Sequence, residues 1–101
     1  MPRIRLTVAA RQDLNDIQDR GLESFGPEVV RAHMLGFERV FTLLRAHPAA
    51  GEARPDYGEG IRVFSHRPHR IFYHHIGEKD ILIVRILHSA MDAVGVMRHH
   101  S

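Results

Sequence analysis

The sequence contains no cysteine among its 101 residues. This absence excludes a disulfide framework, thiol chemistry and any cysteine-ligated zinc site. No apolar run approaches the ~18 residues that a membrane-spanning helix needs, and the opening stretch MPRIRLTVAA is too short for a signal peptide. We therefore expect a cytoplasmic protein with no membrane partner.

Lysine is nearly absent as well. Lys79 is the only one, and the other thirteen of the 14 fixed positive charges are arginines. The formal net charge of +2 is too small for a general nucleic-acid binder. Seven of the nine histidines lie in residues 54–101, where they add positive charge just below neutral pH. An anionic partner is therefore expected to meet this second half of the chain.

Standard catalytic signatures are also missing. The sequence has no glycine-rich phosphate loop, no GxSxG elbow and no HExxH zinc motif. His74 and His75 are adjacent on a predicted strand and point to opposite faces, which is poor geometry for sharing a metal. His66 and His69 flank a turn and could meet a cation together, but solvated histidines are much commoner than ligands. Neither a metal site nor a cofactor is expected.

The first half of the chain has helical patterns. Thr7 is the predicted N-cap of a first helix, and Gly26 and Pro27 form the predicted corner to a second. The second helix has the strongest amphipathic pattern in the sequence, and it ends by Ala46 because a proline follows closely. Its apolar stripe consists of Val30, Met34, Phe37, Phe41 and Leu44.

The second half of the chain has the patterns of β-strands. Residues 61–66 alternate between unlike side chains, a proline breaks the run, and residues 70–76 and 81–87 are rich in Ile, Val, Phe and Tyr. These three runs predict an antiparallel meander. A short first strand is predicted over residues 3–6, and residues 48–60 lack periodicity and are predicted to be a loop.

The order of these elements predicts an α+β fold in one domain over residues 1–101. It comprises an N-terminal strand, then a two-helix antiparallel hairpin packed on an antiparallel sheet that ends in the three-stranded meander. The helical hairpin covers one face of the sheet. The other face is expected to stay partly open and is therefore a candidate site.

Five basic side chains of the sheet half form a candidate target-binding surface, which we call the cationic set. Its members are Arg62, Arg67, Arg70, Arg85 and His88. Arg62 and Arg70 lie on paired strands and are expected near each other across the ladder. Arg85 interrupts an apolar strand and must find an acceptor. It forms either an ion pair, with Asp92 or Glu59 as partner, or a fork for phosphate or carboxylate.

Five segments carry a resemblance to a known family. They are AARQDLNDI (residues 9–17), PAAGE (48–52), GIRVF (60–64), HRIFY (69–73) and RILHSAMD (85–92). With these segments the chain resembles toxins of the RelE/ParE superfamily of bacterial type II toxin–antitoxin modules, and specifically the ParE branch. The resemblance implies the same small α+β fold. It also implies neutralisation by a ParD-like antitoxin whose C-terminal segment wraps around the toxin.

The resemblance implies two alternative activities. ParE-like members are associated with poisoning of DNA gyrase, whereas RelE-like members cleave mRNA on the ribosome with Arg, Lys and often a C-terminal Tyr or a His. Residues 93–96 (AVGV) contain no Tyr, and Lys79 is predicted to lie in a turn, so ParE is favoured and no catalytic residue is expected. Arg62, Arg85 and His88 keep the ribonuclease alternative open. A non-toxic module that only binds antitoxin is a third interpretation.

Three apolar side chains of the second helix are candidate antitoxin contacts. Val29, Val40 and Leu43 lie off the main stripe and are expected to be partly exposed. An added strand or an amphipathic helix in a groove is the expected binding mode of the antitoxin.

Overall fold

The computed structural model describes residues 2–78 and 80–98. Lys79, predicted to lie in a turn, is outside the described residues. The α+β class and the helical hairpin are confirmed. No helix in the described ranges is long and apolar enough to cross a bilayer. In chain order the elements are β1 (Arg3–Leu6), α1 (Val8–Phe25), α2 (Pro27–Ala46), β2 (Glu52–Ala53), a 3₁₀ helix (Pro55–Tyr57), β3 (Ile61–His66), β4 (His69–Ile76), β5 (Asp80–His88) and α3 (Ala93–Arg98).

Five strands form one mixed sheet in the order β1-β5-β4-β3-β2. The antiparallel meander of β3, β4 and β5 is confirmed. The first strand differs from expectation, because β1 pairs parallel to β5, with Ile4 opposite Ile81. A parallel pair requires a long crossover between its strands, and the helical hairpin is part of that crossover.

The predicted loop over residues 48–60 contains two short elements. Glu52 of β2 pairs with Val63 of β3, and the 3₁₀ helix Pro55–Tyr57 follows. A strand of two residues is too short to show a period-2 pattern, so no strand could be predicted there from the sequence.

Local signals fix the ends of the two long helices as predicted. The hydroxyl of Thr7 accepts a hydrogen bond from the N–H of Ala10 at 2.9 Å, which is N-cap geometry. The same hydroxyl donates to the carbonyl of Val84 at 2.7 Å and thereby ties the start of α1 to β5. Gly26, with φ of 84°, ends α1, and Pro27 begins α2.

The sheet separates two apolar cores. The core under the helical hairpin consists of Ala10, Phe37, Val40, Leu44, Ile71, Tyr73, Ile81, Ile83 and Ile86. The core on the opposite face consists of Ile61, Phe72, Val84, Leu87, Ala93 and Met97. Ala93 and Met97 belong to α3, so this helix covers part of the face that was expected to stay open.

Candidate functional site

The register of the sheet separates two members of the cationic set. Arg62 lies opposite Tyr73, a residue of the core under the helical hairpin. Paired residues share a face and successive residues alternate, so Arg70, three positions from Tyr73, faces the α3 side. There its guanidinium lies over the rings of Tyr57 and Phe72 at 6.0 and 5.4 Å. The expectation that Arg62 and Arg70 are neighbours is therefore wrong.

Arg62 holds the segment that joins α2 to β2. Its guanidinium donates to the carbonyl of Gly51 at 2.7 Å. On the same face the Tyr73 hydroxyl accepts from the N–H of Gly51 at 2.8 Å and donates to the carbonyl of Pro48 at 2.7 Å. Burial raises the pKa of the Tyr73 phenol, so it remains a donor at neutral pH. Arg62 therefore has a structural role in the fold.

Arg85 is also engaged within the chain. Its Nε and Nη2 donate to the two carboxylate oxygens of Asp13 at 2.7 and 2.8 Å. Hydrogen bonding to Asp13 raises the pKa of the Arg85 guanidinium. The ion-pair interpretation of Arg85 is confirmed, but the predicted partners Asp92 and Glu59 are wrong. Asp92 instead accepts from the N–H of Gly95 in α3 at 3.2 Å.

Among the described residues only Arg85 of the cationic set has an acidic partner, and Arg62 is held by backbone carbonyls instead. The other three members are Arg67, Arg70 and His88. Arg67 is exposed in the turn between β3 and β4. The ion pairs among the described residues include neither Arg67 nor Arg70. Arg70 donates to the Tyr57 hydroxyl at 3.3 Å, while its buried Nε has no hydrogen-bond acceptor within the described chain. His88 is exposed, and its Nδ1 accepts from the N–H of Ala90 at 3.0 Å.

Sequence reasoning missed a cluster of histidines at one corner of the sheet. His66 and His69, noted as flanking a turn, both lie beside His33 of α2, and His69 also lies beside His88. His33 has no signal of its own in the sequence, because only the packing of α2 brings it to the strands. No group of three or more His, Cys, Asp or Glu side chains in the described ranges could hold a metal ion.

Two grooves run along α2, and Glu38 lines both of them. The groove at the tip of the helical hairpin has a volume of about 310 Å³, and the one beside β1 about 440 Å³. The tip groove is lined by Gln18, Leu22, Pro27, Val30, Arg31, Met34, Leu35 and Glu38. The groove beside β1 is lined by Arg3, Ile4, Glu38, Phe41, Thr42 and Arg45.

The three candidate antitoxin contacts do not share one environment. Val29 and Leu43 are 56% and 38% exposed, as expected of surface residues. Val40 is only 9% exposed and belongs to the core under the helical hairpin, so the expectation that it is exposed is wrong. It lies three residues after Phe37 and four before Leu44, which places it on their side of the helix. The apolar stripe of α2 is wider than the spacing of the predicted residues implied.

The segments that carry the family resemblance contact one another in the fold. Asp13, in AARQDLNDI, binds Arg85 of RILHSAMD. PAAGE is held by Arg62 of GIRVF and Tyr73 of HRIFY. A family model described as "ParE toxin of type II toxin-antitoxin system, parDE" matches residues 4–93.

The chain belongs to the ParE toxin family.

Curated relatives and a solved structure agree with this assignment. The chain is 35% identical over 92 residues to Toxin ParE3 of Caulobacter vibrioides, covering 91% of both proteins. It is 30% identical over 90 residues to Toxin ParE1 of Mycobacterium tuberculosis, covering 89% of this chain and 92% of that toxin. It superimposes with a TM-score of 0.74 and 26% identity on a structure described as "Chromosomal ParDE TA system from P. aeruginosa", covering 87% of this chain and 96% of the other.

Membership in the ParE family makes this protein the toxin of a type II toxin–antitoxin system. The segments that resemble the family stabilise the fold, because their polar residues form hydrogen bonds between parts of the chain that are distant in sequence. Arg62 and Arg85 form such hydrogen bonds within the fold.

Proposed function

We propose that this ParE-family toxin inhibits DNA gyrase in the cytoplasm and that a ParD-like antitoxin neutralises it. The observation that carries the gyrase assignment is the engagement of Arg62 and Arg85 within the fold. A ribonuclease needs free cations beside its general acid or base to stabilise the charge that develops on phosphate.

The position of His88 supports the same choice. His88 lies opposite His69 on β4, whereas Arg62 lies opposite Tyr73. Four residues along a strand separate those two positions by about 13 Å. His88 and Arg62 are therefore too far apart to act on the same phosphate of an RNA substrate.

The antitoxin assignment is supported by the solved relative from P. aeruginosa, which is a ParDE toxin–antitoxin system. We place the antitoxin segment in the two grooves along α2, which meet at Glu38. From Pro27 to Arg45 the helix is about 27 Å long, so a single extended or helical segment can follow it. Val29 and Leu43, exposed on the same helix, remain candidate contacts.

The charges along the grooves define the partner further. Arg31 lies in the tip groove, Glu38 in the middle, and Arg3 and Arg45 in the groove beside β1. The apolar residues between them provide the buried area. A complementary antitoxin segment has an acidic residue opposite Arg31, a basic residue opposite Glu38 and an acidic residue opposite Arg3 and Arg45. Apolar side chains lie between these charges.

The gyrase proposal is tested with His88→Gln, which keeps a polar side chain that cannot titrate near neutral pH. A gyrase inhibitor should keep its effect on DNA supercoiling when His88 is replaced. A ribonuclease should lose roughly 10²–10⁴-fold in cleavage of ribosome-bound mRNA, the usual contribution of a general acid or base. Cleavage of mRNA that depends on His88, with supercoiling unaffected by the wild type, would overturn the proposal.

The groove proposal is tested with Glu38→Arg, compared with Glu23→Arg on the exposed surface of α1. Both replacements change the net charge equally, but only Glu38 lines the grooves. We expect Glu38→Arg to weaken antitoxin binding about tenfold or more, as loss of a complementary charge and creation of a like-charge contact do. Glu23→Arg should change the affinity less than about twofold. Equal effects in calorimetry would place the antitoxin elsewhere.

A further inference from the structure

Four histidines from four elements meet at one corner of the protein. His33 comes from α2, His66 ends β3, His69 begins β4 and His88 ends β5. The rings of His33 and His66 stack with centroids 4.3 Å apart, and Nε2 of His33 lies 3.0 Å from Nδ1 of His69. The ring of His88 meets that of His69 edge-on at 5.5 Å. None of these contacts serves the proposed functions above.

The His66 ring lies in a slot on the surface of α2. It stacks on His33, meets Phe37 edge-on at 4.6 Å, and lies where a side chain at Gly36 would be. Its Nε2 is 2.9 Å from the carbonyl oxygen of His33. Because a carbonyl only accepts, Nε2 of His66 carries the proton and donates it. This bond fastens the end of β3 to α2.

The bond between His33 and His69 constrains their protonation. Of two ring nitrogens that share one hydrogen bond, one must be a bare acceptor, so both rings cannot be cationic at once. Burial lowers the pKa of His33, and burial together with the neighbouring histidines lowers the pKa of His69 to about 4. Among the described residues, the titratable groups that act on His69 are His33 of α2, His88 of β5 and His66 of β3, and none of these is a carboxylate.

We propose that His33, His66 and His69 form an acid-sensitive latch, which holds α2 against the turn end of the sheet at neutral pH and opens as the pH falls. The latch exists because neutral imidazoles can donate and accept at once, whereas imidazolium rings only donate. Once His33 and His69 are both protonated, neither ring can accept, so repulsion between two cations replaces their hydrogen bond. Arg67 in the adjoining turn adds a further positive charge.

The direction of the pH dependence follows from the neutral rings. In the unfolded chain a histidine takes up its proton near pH 6.5, whereas His69 in the folded protein stays neutral until about pH 4. The latch therefore contributes its full stability above pH 6.5 and loses it progressively as the pH falls towards 4. Where the unfolded state binds one proton more, the unfolding equilibrium constant rises up to about tenfold per pH unit.

The latch is tested by urea unfolding of the full chain at pH values from 7.5 to 5. His69→Gln cannot titrate, and His75→Gln, an exposed position on the same strand, is the matched control. Between pH 6 and 5 we expect the unfolding constant of the wild type and of His75→Gln to rise several-fold more than that of His69→Gln. Identical pH dependence of all three proteins would overturn the proposal.

A second measurement on the wild type keeps the test valid if His69→Gln does not fold. The ring resonances of His69 followed by NMR should stay those of a neutral imidazole at pH 5. Amide exchange at the N-terminal half of α2, corrected for intrinsic rates, should quicken on acidification more than exchange in α1. A His69 ring that is protonated by pH 6 while α2 keeps its protection would show that there is no latch.

Discussion

Asp13 reaches from the middle of α1 to β5 with three hydrogen bonds, two from Arg85 and one from the N–H of Ile86. Asp13→Asn keeps the shape but leaves the Arg85 guanidinium partly buried without a counter-ion. We expect the free energy of unfolding to fall by about 1–3 kcal/mol, since the pair keeps some contact with water. Asp16→Asn, on the exposed side of α1, should cost under ~0.5 kcal/mol in the same urea titration. Equal losses would contradict a structural role for this ion pair.

Gly51 lies where no other residue fits. A Cβ atom there would be 2.6 Å from Cε1 of Tyr73 and 2.9 Å from the carbonyl oxygen of Val63. Gly51→Ala should therefore lower the free energy of unfolding by about 1–3 kcal/mol through overpacking. Tyr73→Phe should also destabilise, because it removes the hydroxyl that pairs Gly51 and Pro48. Since both changes disturb one contact, the double variant should cost less than the sum, and strict additivity would contradict this geometry.

For single residues, the sequence predicted that a side chain requires a hydrogen-bond acceptor better than it predicted which residue provides that acceptor. An arginine in an apolar strand had to find an acceptor, and Arg85 has one. Its partner Asp13 is 72 residues away along the chain, so only the fold identifies it. The separation of Arg62 from Arg70 follows from strand register, which sequence spacing leaves open. His33 joins the other histidines only through the packing of α2.

The orientation of α2 about its axis can be tested by replacing two of its valines. Val40 is buried in the core under the helical hairpin, whereas Val29 is 56% exposed. Val40→Ala should lower the free energy of unfolding by about 1.5–3 kcal/mol, and Val29→Ala by under ~0.5 kcal/mol. If Val29 contacts the antitoxin, its replacement should weaken that binding while stability is kept. The reverse order of stability losses in chemical denaturation would mean that α2 is rotated about its axis.

Elements with local signals were predicted well. A capping threonine, a Gly-Pro corner and a wide apolar stripe all lie within a few residues of the ends or faces that they determine. Elements whose pairing depends on a residue far away in the sequence were predicted less well. β1 was recognised as a strand, but its parallel pairing with β5 was not. The two residues of β2 become a strand only because β3 lies beside them.

For the whole molecule, charge is distributed so that some arginines hold the fold and others face solvent. If the proposed inhibition of gyrase uses the cationic set, Arg67→Glu at an exposed turn should weaken it about two- to fivefold and leave stability unchanged. Arg62→Glu should instead destabilise the protein, because it repels the carbonyl of Gly51. Added salt should weaken the Arg67 contribution, since exposed charges are screened. Inhibition unaffected by both Arg67→Glu and salt would remove this surface from the target interface.

The parallel pairing of β1 with β5 also determines the order in which the elements can fold during synthesis. Arg3 and Asp80 are 77 residues apart, and among the strands of the described ranges β1 pairs only with β5. A ribosome releases β1 first, yet the strand must wait for nearly all of the described chain to be synthesised. The helical hairpin can form early because its contacts are local, whereas the sheet beneath it closes late. The nascent chain therefore cannot complete its sheet before β5 has emerged, which sets completion of the fold late in the synthesis of the described residues.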